Sequence, residues 1–186
     1  MAGEPTTDRL TFEQVYDENA ARVLNLALRL TGDEETARDL TQEIFVKVYT
    51  SLDTFEHRSA VSTWVYRIAV NHITNHLKKE RRRRLLSLRE TDASQASEVE
   101  AGFWGRRSTV SSDKGLERAE RDRIVWRAIQ TLPEKYRIPL VLFHYENLSY
   151  KEIAEAMQIG MSALESRLHR AKKELIRKLE PWLDKI

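Results

Sequence analysis

The sequence predicts an all-α protein of two small helical domains joined by a flexible linker, the second domain containing a helix-turn-helix. Three observations lead there. Apolar residues recur at three- and four-residue spacing through residues 12–84 and again through 116–180. Between Leu85 and Gly115 that periodicity stops and Ser, Thr, Glu, Asp and Gly dominate, over about 30 residues, too long for a tight connection inside one compact domain. Near the C-terminus, Ser149-Tyr150-Lys151-Glu152 and Ser162-Ala163-Leu164-Glu165 both read S-x-x-E, the capping-box signal for a helix start, and Gly160 lies between them. The boundaries read from these signals are 1–84, 85–115 and 116–186.

Composition narrows the class. The 186 residues are 41% hydrophobic, enough for two small cores, and contain no cysteine, so neither a disulfide framework nor a thiol-ligated metal is available. No apolar run approaches the roughly 20 residues needed to span a bilayer, and MAGEPTTDRL lacks the basic and apolar parts of an export signal. A soluble, cytoplasmic protein with no membrane insertion is expected. The formal net charge of +2 hides a division: residues 1–56 hold 5 Lys/Arg against 12 Asp/Glu, residues 57–84 hold 8 against 1. Acidic and basic surfaces side by side suggest two different partners, the second being nucleic acid.

The first helix uses Phe12, Val15, Tyr16, Val23, Leu26, Ala27 and Leu30, and Gly32 is placed to end it after Thr31. Asp33 can cap the second, whose apolar stripe is Ala37, Leu40, Ile44, Phe45, Val48, Tyr49 and Leu52. Asp39, Gln42, Glu43 and Lys47 fall on its other faces, as a solvated surface or as a docking face. After the loop 56–62 a third helix starts near Thr63. Its apolar side carries Trp64, Val65, Ile68, Ala69, Ile73 and Leu77, which makes Trp64 a core residue. Arg67, Asn71, Thr74, Asn75 and Lys78 form a second, polar stripe at i, i+4, i+7, i+8 and i+11, suited to bases and phosphates. That stripe runs into Lys78-Lys79-Glu80-Arg81-Arg82-Arg83-Arg84; alone such a run is a weak signal, and the stripe gives it weight. His72 and His76 stand at i and i+4 without further ligands, so no metal is expected.

In the linker, Gly102-Phe103-Trp104-Gly105 either anchors in a partner's groove or packs back on a domain. The second domain begins near Leu116, breaks at Leu132-Pro133, and continues as a helix over 134–145 in which Pro139 removes one backbone donor and should kink or shorten the helix. Asn147 suits a left-handed cap before Ser149. Between the two S-x-x-E starts, Gly160 suits a tight turn, with Ile153, Ala154, Met157 and Ile159 facing Leu164, Leu168 and Ala171. The last helix then presents Ser166, Arg167, His169, Arg170, Lys172 and Lys173, donors fitted to a major groove. No phosphate loop, thiol nucleophile or Ser-His-carboxylate set is recognisable, so the protein is expected to work by binding and not as an enzyme, with no cofactor.

ARDLTQEIFVKVYTSLDTF, STWVYRIAVNHITNHLKKERRR, LPEKYRIPLVLFHYENLSYKEIAEAM and SALESRLHRAKKEL, in this order, resemble the extracytoplasmic-function (ECF) sigma factors of the sigma-70 family, which keep only sigma regions 2 and 4. The resemblance covers most of residues 12–84 and 116–180. It implies a first domain that docks on the clamp helices of the largest subunit of core RNA polymerase and opens the promoter −10 element, a second that reads the −35 element as duplex near the polymerase flap, and an anti-sigma partner. It singles out Asp39, Gln42 and Glu43 for the polymerase and Ser59, Ala60 and Val61 for a base flipped from the −10 strand. Arg67, Asn71 and Asn75 would line that strand, with Lys78, Arg81, Arg82, Arg83 and Arg84 on phosphates. Glu165, Ser166, His169 and Arg170 would face −35 base edges, with Arg167 and Lys173 on phosphate. The chain departs from the family at His57, Arg58 and Val61, where relatives often carry a glycine, an acidic residue and a phenylalanine. At Glu165 relatives often carry a basic residue. Glu165 either caps the helix with Ser162 or accepts from a base, and the completed box favours the cap. The alternative function is a duplex-binding helix-turn-helix regulator with an N-terminal sensing or dimerisation domain.

Overall fold

A computed structural model describes residues 10–90 and 113–185, with side chains placed over 10–86 and 120–182. Among the described residues there are seven α-helices and no strand. The aromatic pair Phe103-Trp104 lies outside them.

The first domain is a three-helix unit. Helix α1 (Phe12–Thr31) opens with a capping box that the sequence reading missed: the Thr11 hydroxyl accepts from the Gln14 N–H while the Gln14 side chain accepts from the Thr11 N–H. It ends at Gly32, whose φ of 78° only glycine adopts without strain and whose N–H donates to the Leu28 carbonyl. Helix α2 (Glu34–Ser51) follows at once, the Asp33 carboxylate accepting from the Thr36 N–H at 2.7 Å. Donation from Thr36 holds the Asp33 carboxyl below the usual aspartate value. Helix α3 (Val61–Glu90) begins two residues ahead of the expected start and remains helical through residues 85–90, so the helical pattern outlasts the periodicity of its apolar side.

Val15, Val23, Leu26, Leu30, Ile44, Val48, Val65 and Ile73 are buried between these helices, and Trp64 is core at 5% exposure, with the Phe55 ring against it. Two expected core residues are not core. Tyr49 is 65% and Tyr16 44% exposed. Both belong to an aromatic cluster with Phe12 and Phe45 at the rim, since a helix buries a stripe narrower than the whole set of apolar positions.

The second domain contains α4 (Asp113–Gln130), α5 (Glu134–His144), α6 (Tyr150–Ala156) and α7 (Met161–Leu179). Pro133 stands at the N-cap of α5. Pro139 sits inside α5 without ending it, because the helix continues to His144 and buries Ile138, Pro139, Leu140 and Val141. Asn147 is left-handed as expected, with φ of 54°. The capping box at the head of α6 is formed, Ser149 and Glu152 satisfying each other's backbone donors.

The domains are in contact. Helix α1 meets α5 and α3 meets α6, so the buried residues form one continuous cluster. Nothing in the sequence signalled this contact.

Candidate nucleic-acid interface

In the helix-turn-helix, α5 and α6 support α7 through Leu164, Leu168 and Ala171, all fully or nearly buried, against Ile153 and Ala156. The turn between α6 and α7 is not built as the sequence suggested. Gln158 is the left-handed residue, with φ of 53°, whereas Gly160 has φ of −69° and is the N-cap of α7. A Cβ at Gly160 would meet nothing within 4 Å. The second capping box is therefore absent: α7 begins at Met161, so Ser162 lies inside the first turn and no side chain caps the helix. Glu165 is exposed and is not a cap partner.

The outer face of α7 carries the expected reading residues. Glu165, Ser166, His169, Arg170 and Lys173 are exposed and Arg167 is half-buried. Arg170 stands beside Tyr136 of α5 and, by donating to it, holds that phenol below its ordinary value.

Helix α3 carries the other polar face. Arg67 is half-buried; Asn71, Asn75, Lys78 and Arg81 to Arg84 are exposed; and Glu80 pairs with Arg83 at 2.8 Å. The Asn71 amide points at the second domain, where it donates to the Gln158 side chain at 3.4 Å. Ahead of α3, Ser59 is half-buried and Ala60 exposed, and Val61, expected in the loop, is the half-buried first residue of the helix. His57 has φ of 53° in this loop, a backbone that histidine enters more readily than β-branched residues do.

On α2, Asp39, Gln42 and Glu43 are exposed on one face, and exposed Val46 continues it. Glu43 is not free: its carboxylate lies 2.5 Å from His72 Nε2, while Lys47 Nζ lies 2.8 Å from His72 Nδ1. A neutral His72 that accepts from Lys47 and donates to Glu43 fits both distances, and it ties α2 to α3. No group of His, Asp and Glu suited to a metal ion occurs among the described residues, and His72 is used in this tie.

Two family models match the chain, one for sigma-70 region 2 over residues 15–83 and one for sigma-70 region 4 over residues 122–175. The chain belongs to the ECF sigma factors of the sigma-70 family. It is 35% identical over 176 residues to the RNA polymerase sigma-H factor of Pseudomonas aeruginosa, covering 95% of this chain and 90% of that protein. It is 39% identical over 146 residues to the ECF RNA polymerase sigma-E factor of Escherichia coli K12, covering 78% and 74%. The fold is shared with the sigma factor RpoE of Bartonella quintana, solved in complex with the anti-sigma factor NepR (TM-score 0.66, 20% identity, 91% and 96% coverage). It is shared also with CnrH, solved in complex with the cytosolic domain of CnrY (TM-score 0.61, 19% identity, 91% and 88% coverage).

In this sigma factor, region 2 is thus the three-helix unit α1 to α3, and region 4 holds the helix-turn-helix. Sequence reasoning missed the residues that join them. The Tyr66 hydroxyl donates to Glu146 Oε2 at 2.7 Å, Arg29 Nη1 lies 3.4 Å from Glu146 Oε1, and Arg22 Nη2 donates to the Glu146 carbonyl at 3.3 Å. Gln130 adds a bond to the Arg29 carbonyl at 2.7 Å. Burial, and then the bond to Glu146, push the Tyr66 phenol well above its ordinary value. Tyr66 and Glu146 are 80 positions apart, and neither carries a local signal that would pair them. No helix among the described residues is long and apolar enough to cross a membrane.

Proposed function

We propose that this sigma factor directs core RNA polymerase to its promoters by a two-point grip. The domain read as residues 1–84 docks on the clamp helices of the largest polymerase subunit through Asp39, Gln42 and Glu43. It holds the opened −10 strand along Ser59 to Val61, Arg67, Asn71, Asn75 and the basic end of α3. The domain read as 116–186 reads the −35 duplex through α7, with the polymerase flap beside it. The observation that carries the proposal is the pair of helices α3 and α7. Each lies mostly within a matched sigma region, and each presents a largely unburied row of donors, amides and guanidiniums on α3 and a hydroxyl, an imidazole and guanidiniums on α7.

Extruding a base from the duplex costs a few kcal/mol of stacking and pairing, which the site must return. The protein contributes no covalent step. It binds the flipped, single-stranded −10 conformation more tightly than duplex and so shifts the population toward open DNA. On α7, exposed Arg170 carries a guanidinium whose fork suits a bidentate base contact. Glu165, released from capping, is free to accept from a cytosine amino group. The protein acts in the cytoplasm, where its polymerase is, and the sigma factor RpoE, solved with its anti-sigma factor NepR, supports such a partner here.

The test is transcription from a randomised promoter library with core polymerase and this protein. Enrichment of two elements at one fixed spacing is expected. Absence of initiation on any promoter, with retained duplex binding, would favour the regulator reading instead.

A further inference from the structure

Glu146 is the only buried carboxylate among the described residues, at 6% exposure. Burying a charge is costly unless its partners compensate, so its partners identify what the site is built for. All three come from the other domain: the Tyr66 hydroxyl, the Arg29 guanidinium, and Arg22, which donates to the residue's own carbonyl. Arg22 and Arg29 are seven residues apart on α1 and therefore share a face. The Arg22 guanidinium also lies over the Tyr66 ring, 5.2 Å from its centroid.

One guanidinium and the phenol hydroxyl meet the Glu146 carboxylate, and the second guanidinium holds the carbonyl of the same residue beside the Tyr66 ring; together they are donors of the kind that grip a backbone phosphate of single-stranded nucleic acid. Glu146 fills the cradle imperfectly. Arg29 approaches it only to 3.4 Å, and Arg29 Nε is buried with no acceptor, leaving one donor unused. The cradle also adjoins the −10 face, because Tyr66 precedes Arg67 on α3 and the same domain contact engages Asn71 through Gln158.

We infer that Arg22, Arg29 and Tyr66 form a binding site for a phosphate of the opened promoter strand, and that Glu146 occupies it as an internal phosphate mimic while the two domains are together. The inference rests on the reading that α3 captures the −10 strand, and extends that path onto α1. DNA and Glu146 then compete for the same donors, and the apparent affinity for single strand falls with the fraction of cradles that Glu146 occupies. Substitutions on the two sides of the contact must act in opposite directions. If the contact were only a clasp between domains, loosening either side would favour DNA.

The test uses the full chain and a fluorescent single-stranded oligonucleotide carrying the −10 non-template sequence, with anisotropy read at several salt concentrations. Glu146→Gln, nearly isosteric, should tighten binding by about tenfold, as expected from removing one charge-assisted interaction. The double variant Arg22→Ala/Arg29→Ala should weaken binding by at least about tenfold, also in the Glu146→Gln background, and should lower the salt dependence. Arg22→Ala alone, at an exposed position, should weaken it severalfold and guards against a folding defect from Arg29. A cooperative thermal transition and unchanged −35 duplex binding identify folded variants. Tightening by the arginine variants, or no effect from them, overturns the cradle; no effect from Glu146→Gln overturns the competition. Asn71→Ala separates the two levels: if it weakens binding and the arginine variants do not, the cradle alone fails. If neither does, the −10 reading fails and the cradle with it.

Discussion

Helices α3 and α7 are the two basic faces of the molecule, and they differ in what surrounds them. Helix α7 is supported from one side, by α4, α5 and α6 of its own domain, and its reading residues stand open. Helix α3 is held on two sides, by α1 and α2 of its own domain and by α6 of the other, and Asn71 is engaged across that second contact. Similar donor chemistry is thus presented with different availability. On the proposed reading, α7 can engage duplex as it stands, whereas α3 must first part from its neighbour to take a single strand. Such a difference makes one step of recognition immediate and the other conditional.

The largest expected effect breaks the comparison from the α7 side. Leu164 is fully buried beneath the helix, so Leu164→Ala should cost about 2–5 kcal/mol in the stability of the second domain and abolish −35 duplex binding, as read by thermal denaturation and gel shift. The first domain, whose own helices bury Val15, Leu26, Ile44 and Ile73, should keep its single-strand binding. Next in size, Arg170→Ala should cost about 1–3 kcal/mol against the preferred −35 sequence and relax preference at one base pair. Uniform weakening across a competition panel would instead assign Arg170 to phosphate. Asn71→Ala removes one exposed amide and should cost about 0.5–1.5 kcal/mol in −10 strand binding, with −35 binding unchanged. Equal loss at both elements would dissolve the distinction between the faces. Smallest is Gly160→Ala, which should change stability by no more than about 0.5 kcal/mol, because φ there is negative and the added methyl meets open space. A large loss in chemical denaturation would return the turn to Gly160.

What the sequence disclosed was governed by distance along the chain. Gly32, Asp33, Asn147 and the Ser149/Glu152 box were legible because each acts on a backbone group within a few residues. The Ser162/Glu165 pattern carries the same letters and fails, because the left-handed turn at Gln158 puts the start of α7 at Met161 and leaves Ser162 past the capping position. Tyr16 and Tyr49 fit the helical period and still face outward, since periodicity gives a direction but not the width of the buried stripe. The Tyr66, Arg29 and Glu146 contacts span 80 and 117 positions, where no local pattern reaches. The proposed reading residues of α3 and α7 were legible as exposed stripes; what covers one of them was not.

Gln158 sets two demands against each other. A left-handed backbone costs a residue with a side chain about 1–2 kcal/mol relative to what glycine would incur, so glycine there would relax the turn. The same residue supplies the amide oxygen that meets Asn71 across the domain boundary. A change to glycine would make the helix-turn-helix sturdier and, in the same stroke, erase its polar tie to α3. Local comfort and communication between the halves are therefore opposed at a single position, and the chain keeps the less comfortable residue.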